Sequence, residues 1–362
     1  MDHGDPRLDE VIAAIDTGIK RLLKTKEADL YMFASNGHGA WEAAIENLLA
    51  PGQTVLIPGT GHFSESWAVQ TEALGRRVIR TPFREGHPID PNALEQALRA
   101  DVKREIAAVF VVHTDTASST TTDLAALRAA IDAAGHPALF VVDVVASLAA
   151  APFAMDAMRV NVAVGATQKG LMSPPGMSFV AVDRLADEIA ARNPAPRYYW
   201  DWGRRKGDQS YRKFCGTPPQ NLLFGVEAAL SLLFLEGIDA IIARHALLAR
   251  AVHAAVECWS QEGAVMFHCR VPEARSVSVT TIETRAGIDP EAMRTVARER
   301  FQVAIAGGLG PQSGRAFRIG HLGSLNSAMI LGCLAGVEAA MQVQKIPYGR
   351  GGMEAAITIL GG

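Results

Sequence analysis

One amine, one carboxylate and one glycine-rich turn stand out for where the sequence puts them. Lys169, in "GATQKGLMSPPGMSFVAV" (165–182), follows the apolar residues Val160, Val162, Val164 and Ala166 and precedes a turn-rich Ser-Pro-Pro-Gly. An amine at the lip of a buried strand loses hydration, which lowers its pKa below about 10.4 and makes it a nucleophile able to form an imine. A lysine whose stem lies on apolar surface with its head in water gives the same local pattern. Asp143 closes the apolar run "FVVD", where a carboxylate without a partner is costly to desolvate. Helix capping accounts for it equally well. Ser35, Asn36, Gly37, His38 and Gly39 read as a turn opening a Trp41–Ala50 helix. Free N–H groups and the positive helix end there suit an anion such as phosphate, which glycines let approach closely. Glycines also open helices for steric reasons alone. The spacing is not G-x-G-x-x-G, which argues against a dinucleotide.

These residues need elements to hold them. "TVLIP" (54–58), "RRVIRT" (76–81), "AAVFVVH" (107–113), "ALFVVD" (138–143), "VNVAVGAT" (160–167) and "MSFVAV" (177–182) read as buried strands. Between several of them lie amphipathic helices. Trp41, Ala44, Ile45, Leu48 and Leu49 follow an apolar stripe at helical spacing. Asp90 is the expected N-cap of a helix with Pro91 at its first position. The alternation predicts an α/β fold, a mostly parallel sheet flanked by helices, with candidate sites just beyond strand C-termini. From about Pro218 to Glu262 the strand signal gives way to two long helical patterns, each closed near a glycine. After Ala264, "SVSVTTI" and "FRIGHL" read as strands among helices. The expected division is a large domain over 1–262 and a small α+β domain over 263–362.

The bulk properties narrow the choice. The 362 residues carry a formal net charge of −3, 49% hydrophobic and 20% charged residues, ordinary for a globular enzyme and no argument for nucleic acid or an anionic membrane. Cys215, Cys258, Cys269 and Cys333 form no C-x-x-C pair, so neither a zinc site nor a disulfide framework is expected, and a reducing compartment is. No basic-then-apolar leader and no apolar run of roughly 18 residues is visible. The expectation is a cytoplasmic protein with no metal.

A glycine-rich turn, a strand-end aspartate and, 26 residues further on, a lysine after another strand form the order found in fold-type I pyridoxal phosphate enzymes. Their chemistry uses an amine for the imine and a carboxylate that keeps the pyridine nitrogen protonated, so that the ring can act as an electron sink. "VVDVVASLAAAPFAMDAMRVNVAVGATQKG" resembles the cofactor-lysine segment of class V aminotransferases, the alanine/serine–glyoxylate group. "FRIGHLGSLNSAMILGCLAGVE" is similar to the C-terminal block of serine–glyoxylate aminotransferases. The likeness runs from Asp2 to about Ala356.

The resemblance implies roles. Lys169 forms the imine and carries the proton between substrate and cofactor, and Asp143 pairs with the pyridine nitrogen. Phe63 stacks on the ring, Thr116 lies near the phenolic oxygen, and Asn36, Gly37, His38 and Gln168 hold the phosphate. Arg318 forks onto the substrate α-carboxylate, a role its planar geometry suits. Read without the family, an arginine inside "AFRIGHL" already calls for an anion. Thr217 reaches the phosphate from the other subunit of a homodimer. Two departures stand out: a Gly-Pro loop that relatives carry ahead of this N-terminus, and Phe214, where some relatives have a tyrosine.

The expected reaction moves the amino group of serine or alanine to glyoxylate or pyruvate by a ping-pong route. Aspartate as donor stays open through Arg197, Arg204 and Arg205. A cysteine desulfurase is disfavoured by Gln168 before the lysine, where those enzymes have histidine. A non-catalytic protein that only binds the cofactor is a third reading.

Overall fold

The computed structural model describes residues 5–207 and 209–362. The beginning of the family likeness at Asp2, like the rest of residues 1–4, lies outside the described residues. The chain starts with α1 (Pro6–Leu23), β1 (Asp29–Phe33), α2 (Gly37–Leu48), β2 (Thr54–Leu56), α3 (His62–Ala73) and β3 (Arg77–Ile79). Next come α4 (Pro91–Ala100), β4 (Ile106–Val112), the antiparallel pair β5 (Thr114–Asp115) and β6 (Thr120–Thr121), α5 (Leu124–Ala133) and β7 (Leu139–Asp143). β8 (Val162–Ala166), β9 (Ser178–Val182), α6 (Arg184–Arg192), α7 (Ser210–Phe214), α8 (Gln220–Glu236) and α9 (Ile238–Trp259) follow. The C-terminal part holds β10 (Val265–Phe267), β11 (Val279–Thr284), α10 (Pro290–Phe301), β12 (Ala306–Gly307), β13 (Ala316–Gly320), α11 (Ser327–Val343) and α12 (Gly352–Gly361).

Seven strands form one sheet in the order β1-β9-β8-β7-β4-β2-β3. From β3 to β8 every neighbouring pair is parallel, while β9 runs antiparallel to both β8 and β1. This is the expected α/β architecture. Its central strands are apolar throughout because each face is covered by helices. Val109, Val111, Phe140 and Val142 face a cluster with α1, α4, α5 and α8. Ala108, Phe110, Val112, Leu139 and Val141 face the opposite cluster with α2, α3 and α6. Burying each large side chain of this kind stabilises by about 1.5–3 kcal/mol, and Phe110→Ala would cost about 3–5 kcal/mol.

Three expectations need correction. "RRVIRT" is not a buried strand: β3 is the sheet's edge, with Arg77 and Ile79 exposed. The helix expected at Trp41–Ala50 starts at Gly37, since Asn36 already caps it by accepting from Gly39 N at 3.2 Å. β1 was not anticipated: it is short, and its partner β9 lies far along the chain. Asp90 does cap α4, accepting from Asn92 N at 2.9 Å, with Pro91 at the first position.

The second sheet is antiparallel throughout, in the order β10-β11-β13-β12. Its apolar face packs with α10, α11, α12 and the C-terminal half of α9, around Phe317, Ile319, Leu334 and Trp259. Among the described residues no helix is long and apolar enough to cross a membrane.

Candidate active site

The C-terminal ends of β4, β7 and β8 lie at one edge of the large sheet, and a cavity of about 230 Å³ opens there. Asn36, Gly37, His38, Phe63, Thr116, Asp143, Gln168 and Lys169 all line it. Eight residues singled out in the sequence thus meet in one place, together with Trp41 and Thr114, which the sequence reading did not assign to it.

Asp143 is the last residue of β7 and 4% exposed. Val145 N donates to its Oδ1 at 2.7 Å and the Trp41 indole Nε1 to its Oδ2 at 2.6 Å. Burial pushes its pKa up to about 7, against the pull of these two donors, the nearby Asp115 adding to the rise and Lys169 opposing it. A carboxylate so placed is poised to meet one further cation.

Lys169 brings an amine to the same cavity. It follows β8 in the connection to the antiparallel β9, closed by bonds from Thr167 N to Met177 O at 3.1 Å and Met172 N to Lys169 O at 2.9 Å. The next residue must be glycine, because a Cβ at Gly170 would lie 2.2 Å from the Leu148 carbonyl oxygen. The turn thus packs closely against the Leu148 carbonyl. The side chain is part-buried, and its Nζ has no hydrogen bond or ion pair among the described residues. Burial, then the charge of Arg318, lowers its pKa, with Asp143 pulling the other way.

The first turn of α2 also lines the cavity. The N–H groups of Gly37 and His38 precede any intrahelical acceptor. A Cβ on Gly37 would crowd Val145 Cγ2 at 3.3 Å. Asn36 uses its side-chain oxygen as the cap, which leaves its NH₂ as the group able to reach an anion. Gln168 has a buried Oε1 without a hydrogen-bond partner, and its Nε2 is the group able to donate to an anion. Ser35 Oγ is tied to Ser178 Oγ at 2.6 Å, anchoring the turn to β9. His38 packs on the Trp41 ring at 4.6 Å, and burial together with the nearby His62 lowers its pKa.

Phe63 and Thr116 are set by Asp115, a fully buried residue that the sequence reading passed over. Asp115 Oδ2 accepts from Phe63 N at 2.8 Å and Oδ1 from Ala117 N at 2.9 Å. The only signal in the sequence was an aspartate among the hydroxyls of "HTDTASS". Arg318, on β13, donates Nε to Gly307 O at 2.7 Å and Nη1 to Thr116 O at 2.9 Å. It is not itself among the residues lining the cavity, although its charge acts on Lys169; it has no carboxylate partner among the described residues, and Nη2 is left over.

Thr217 is exposed, between α7 and α8, and does not line this cavity. Phe214 is buried in the core beside α1 and α8. The arginines that kept a second carboxylate open are committed elsewhere. Arg197 bonds Asn47 Oδ1, Asn193 O and Ala190 O, and buried Arg205 bonds Met32 O, Lys213 O and Tyr199 O. Arg204 lies on the Tyr198 ring. None of the three lines the cavity.

Sheet order and cavity together define a fold-type I pyridoxal phosphate transferase. Within that class the family described as aminotransferase class-V matches residues 4–317, and the chain belongs to that family. It is 37% identical to a serine–glyoxylate aminotransferase of Methylorubrum extorquens, over 94% of this chain and 85% of that protein. It is also 37% identical to an L-aspartate–glyoxylate aminotransferase of Paracoccus denitrificans, over 98% of this chain and 89% of that one. The crystal structure of pyridoxamine–pyruvate aminotransferase from Mesorhizobium loti superposes with a TM-score of 0.89 at 26% identity, covering 100% of this chain and 91% of that one.

Proposed function

We propose that the protein is a pyridoxal 5′-phosphate-dependent aminotransferase that moves the amino group of a small L-amino acid, serine or alanine, to glyoxylate or pyruvate. One observation carries this reading: a part-buried lysine amine without a partner, in the same cavity as a buried strand-end carboxylate and an open helix N-terminus. The residues fit the cofactor. The first turn of α2, with the amides of Asn36 and Gln168 and the ring of His38, would hold the phosphate, Asp143 the pyridine nitrogen, Phe63 the ring face and Thr116 the phenolic side.

The bound cofactor supplies an electron-withdrawing ring that takes up the electron pair released at the donor's Cα. Lys169 would hold the cofactor through Nζ and, once its amine is free, would be the base that takes and returns the donor's Cα proton. Burial lowers its pKa, which favours the neutral form that can accept a proton. Asp143 would pair with the pyridine nitrogen and favour its protonated form. Arg318 orients the α-carboxylate of donor and acceptor alike, and the acceptor half-reaction reverses the proton transfers at the same site, which makes the kinetics ping-pong.

A donor with an uncharged side chain is favoured because Arg197 and Arg205 are occupied by backbone carbonyls and Asn47. Aspartate is the second reading, favoured by the Paracoccus denitrificans relative. No cysteine lines the cavity among the described residues, which speaks for amino transfer over desulfuration. The four cysteines are unpaired, in keeping with a cytoplasmic protein. We read 1–262 and 263–362 as its two domains, and a homodimer in which exposed Thr217 reaches the partner's phosphate site as its assembly.

The test is to mix purified holoenzyme with L-serine, L-alanine and L-aspartate in turn and follow the absorption of the lysine-bound cofactor. Serine or alanine should bleach it. A response to aspartate alone selects the second reading, and a bound cofactor that answers no amino acid leaves a binding protein.

A further inference from the structure

Trp41 looks, by its spacing, like one more member of an apolar helix stripe. In the structure its indole is 2% exposed and directs Nε1–H at Asp143 Oδ2, 2.6 Å away. Indole nitrogen can only donate, and a donor this close to a carboxylate makes a charge-assisted bond. Any large apolar side chain could fill the space, but it could not make that bond. The ring is clamped in place: Trp67 stacks on it at 5.2 Å and 10°, Phe110 stacks behind Trp67 at 4.7 Å, and His38 covers another side.

Trp41 also stands one helical turn after Gly37, on the same rigid helix. The rise between the two is about 6 Å, set by the backbone itself. With Val145 N on Oδ1 and Trp41 on Oδ2, both oxygens of Asp143 are tied and the plane of the carboxylate is fixed.

We propose that Trp41 is a positioning residue through which α2 orients Asp143 against the cofactor's pyridine nitrogen, so that one helix sets both ends of the cofactor: its first turn the phosphate, its second the carboxylate. Trp41 keeps its proton throughout and favours the charged form of Asp143. The inference rests on the cofactor reading given above.

A double-mutant cycle tests it on the holoenzymes of wild type, Trp41→Phe, Asp143→Asn and the double variant. The readouts are the dissociation constant of pyridoxal phosphate and the pH midpoint at which the lysine-bound cofactor changes colour. Trp41→Phe keeps the aromatic packing and removes the donor. It should weaken cofactor binding about tenfold, the size expected for losing one hydrogen bond to a charged group. The midpoint should move to higher pH, because a less firmly protonated pyridine leaves less positive charge near the imine. In the Asp143→Asn background the same change should do far less. Single effects that simply add, or a Trp41→Phe enzyme with unaltered midpoint and affinity, overturn the inference alone. Wild type that takes up no cofactor overturns the cofactor reading and the inference with it. Should Trp41→Phe fail to fold, the ¹⁵N indole resonance of Trp41 in the cofactor-free protein reports the same bond. It must shift on Asp143→Asn, and an unmoved resonance overturns the inference.

Discussion

Arg318 and Thr116, 202 positions apart in the sequence, are joined by a 2.9 Å bond from the guanidinium Nη1 to the backbone carbonyl. The bond ties the C-terminal sheet to the segment that walls the cavity. Thr281 on β11 reinforces it by donating to Ala117 O at 2.9 Å, and Ser276 N donates to Ser119 O at the same distance. With Nε and one Nη1 proton held by carbonyls, the guanidinium has a fixed plane and presents its remaining N–H groups as a preset fork.

Arg318→Lys keeps the charge and loses both the fork and the anchor. The KM of donor and acceptor should each rise about tenfold or more, the size of a lost charge-assisted bond. Steady-state kinetics with both substrates check this. Unchanged KM values would remove Arg318 from carboxylate recognition.

Lys169→Ala should abolish covalent retention of the cofactor and lower turnover by about 10²–10⁴-fold or more, the range of a lost acid–base group. Borohydride reduction followed by peptide mapping locates the attachment. A label on any other lysine sinks the assignment.

Asp143→Asn should act in opposite directions with and without cofactor. In the cofactor-free chain its pKa is about 7, above the unfolded carboxylate's value of about 3.9. Its contribution to stability is therefore fully present below about pH 4 and is lost as pH rises through 7. The Asn variant should match wild type in Tm near pH 4 and exceed it at pH 8, while its holoenzyme binds pyridoxal phosphate more weakly. A cofactor-free Tm difference that does not grow with pH contradicts the assignment.

Three histidines add an acid-sensitive term. Burial lowers His113 and His253 to about 4 and His321 to about 3. His321 is locked neutral, with Nδ1 facing the Val277 carbonyl and Nε2 facing Thr280 Oγ1, each at 2.9 Å. Their stabilisation is complete above about pH 6.5 and declines as pH falls toward the folded values. Tm should drop between pH 6.5 and 4, and His321→Asn should flatten that slope. An equal slope in the variant refutes the role of His321.

Much of this was readable from the chain itself, for identifiable reasons. β7 and β8 are buried on both faces, so Asp143 and Lys169 end or follow unbroken apolar runs and are conspicuous. Arg318 betrayed itself as a charge between Phe317 and Ile319. Trp41 and Asp115 did not, because their roles depend on partners 102 and about 50 positions away. A tryptophan on an apolar stripe carries no local mark of where its N–H points. β1 was hidden for the same reason, its pairing with β9 being wholly non-local.

The loop that carries Lys169 has a further consequence. Under the proposed reading, an amine that grips its cargo, lets go and grips again is mounted on a closely packed turn, where Gly170 leaves no room for a side chain beside the Leu148 carbonyl. All its travel must come from the four rotatable bonds of its own arm.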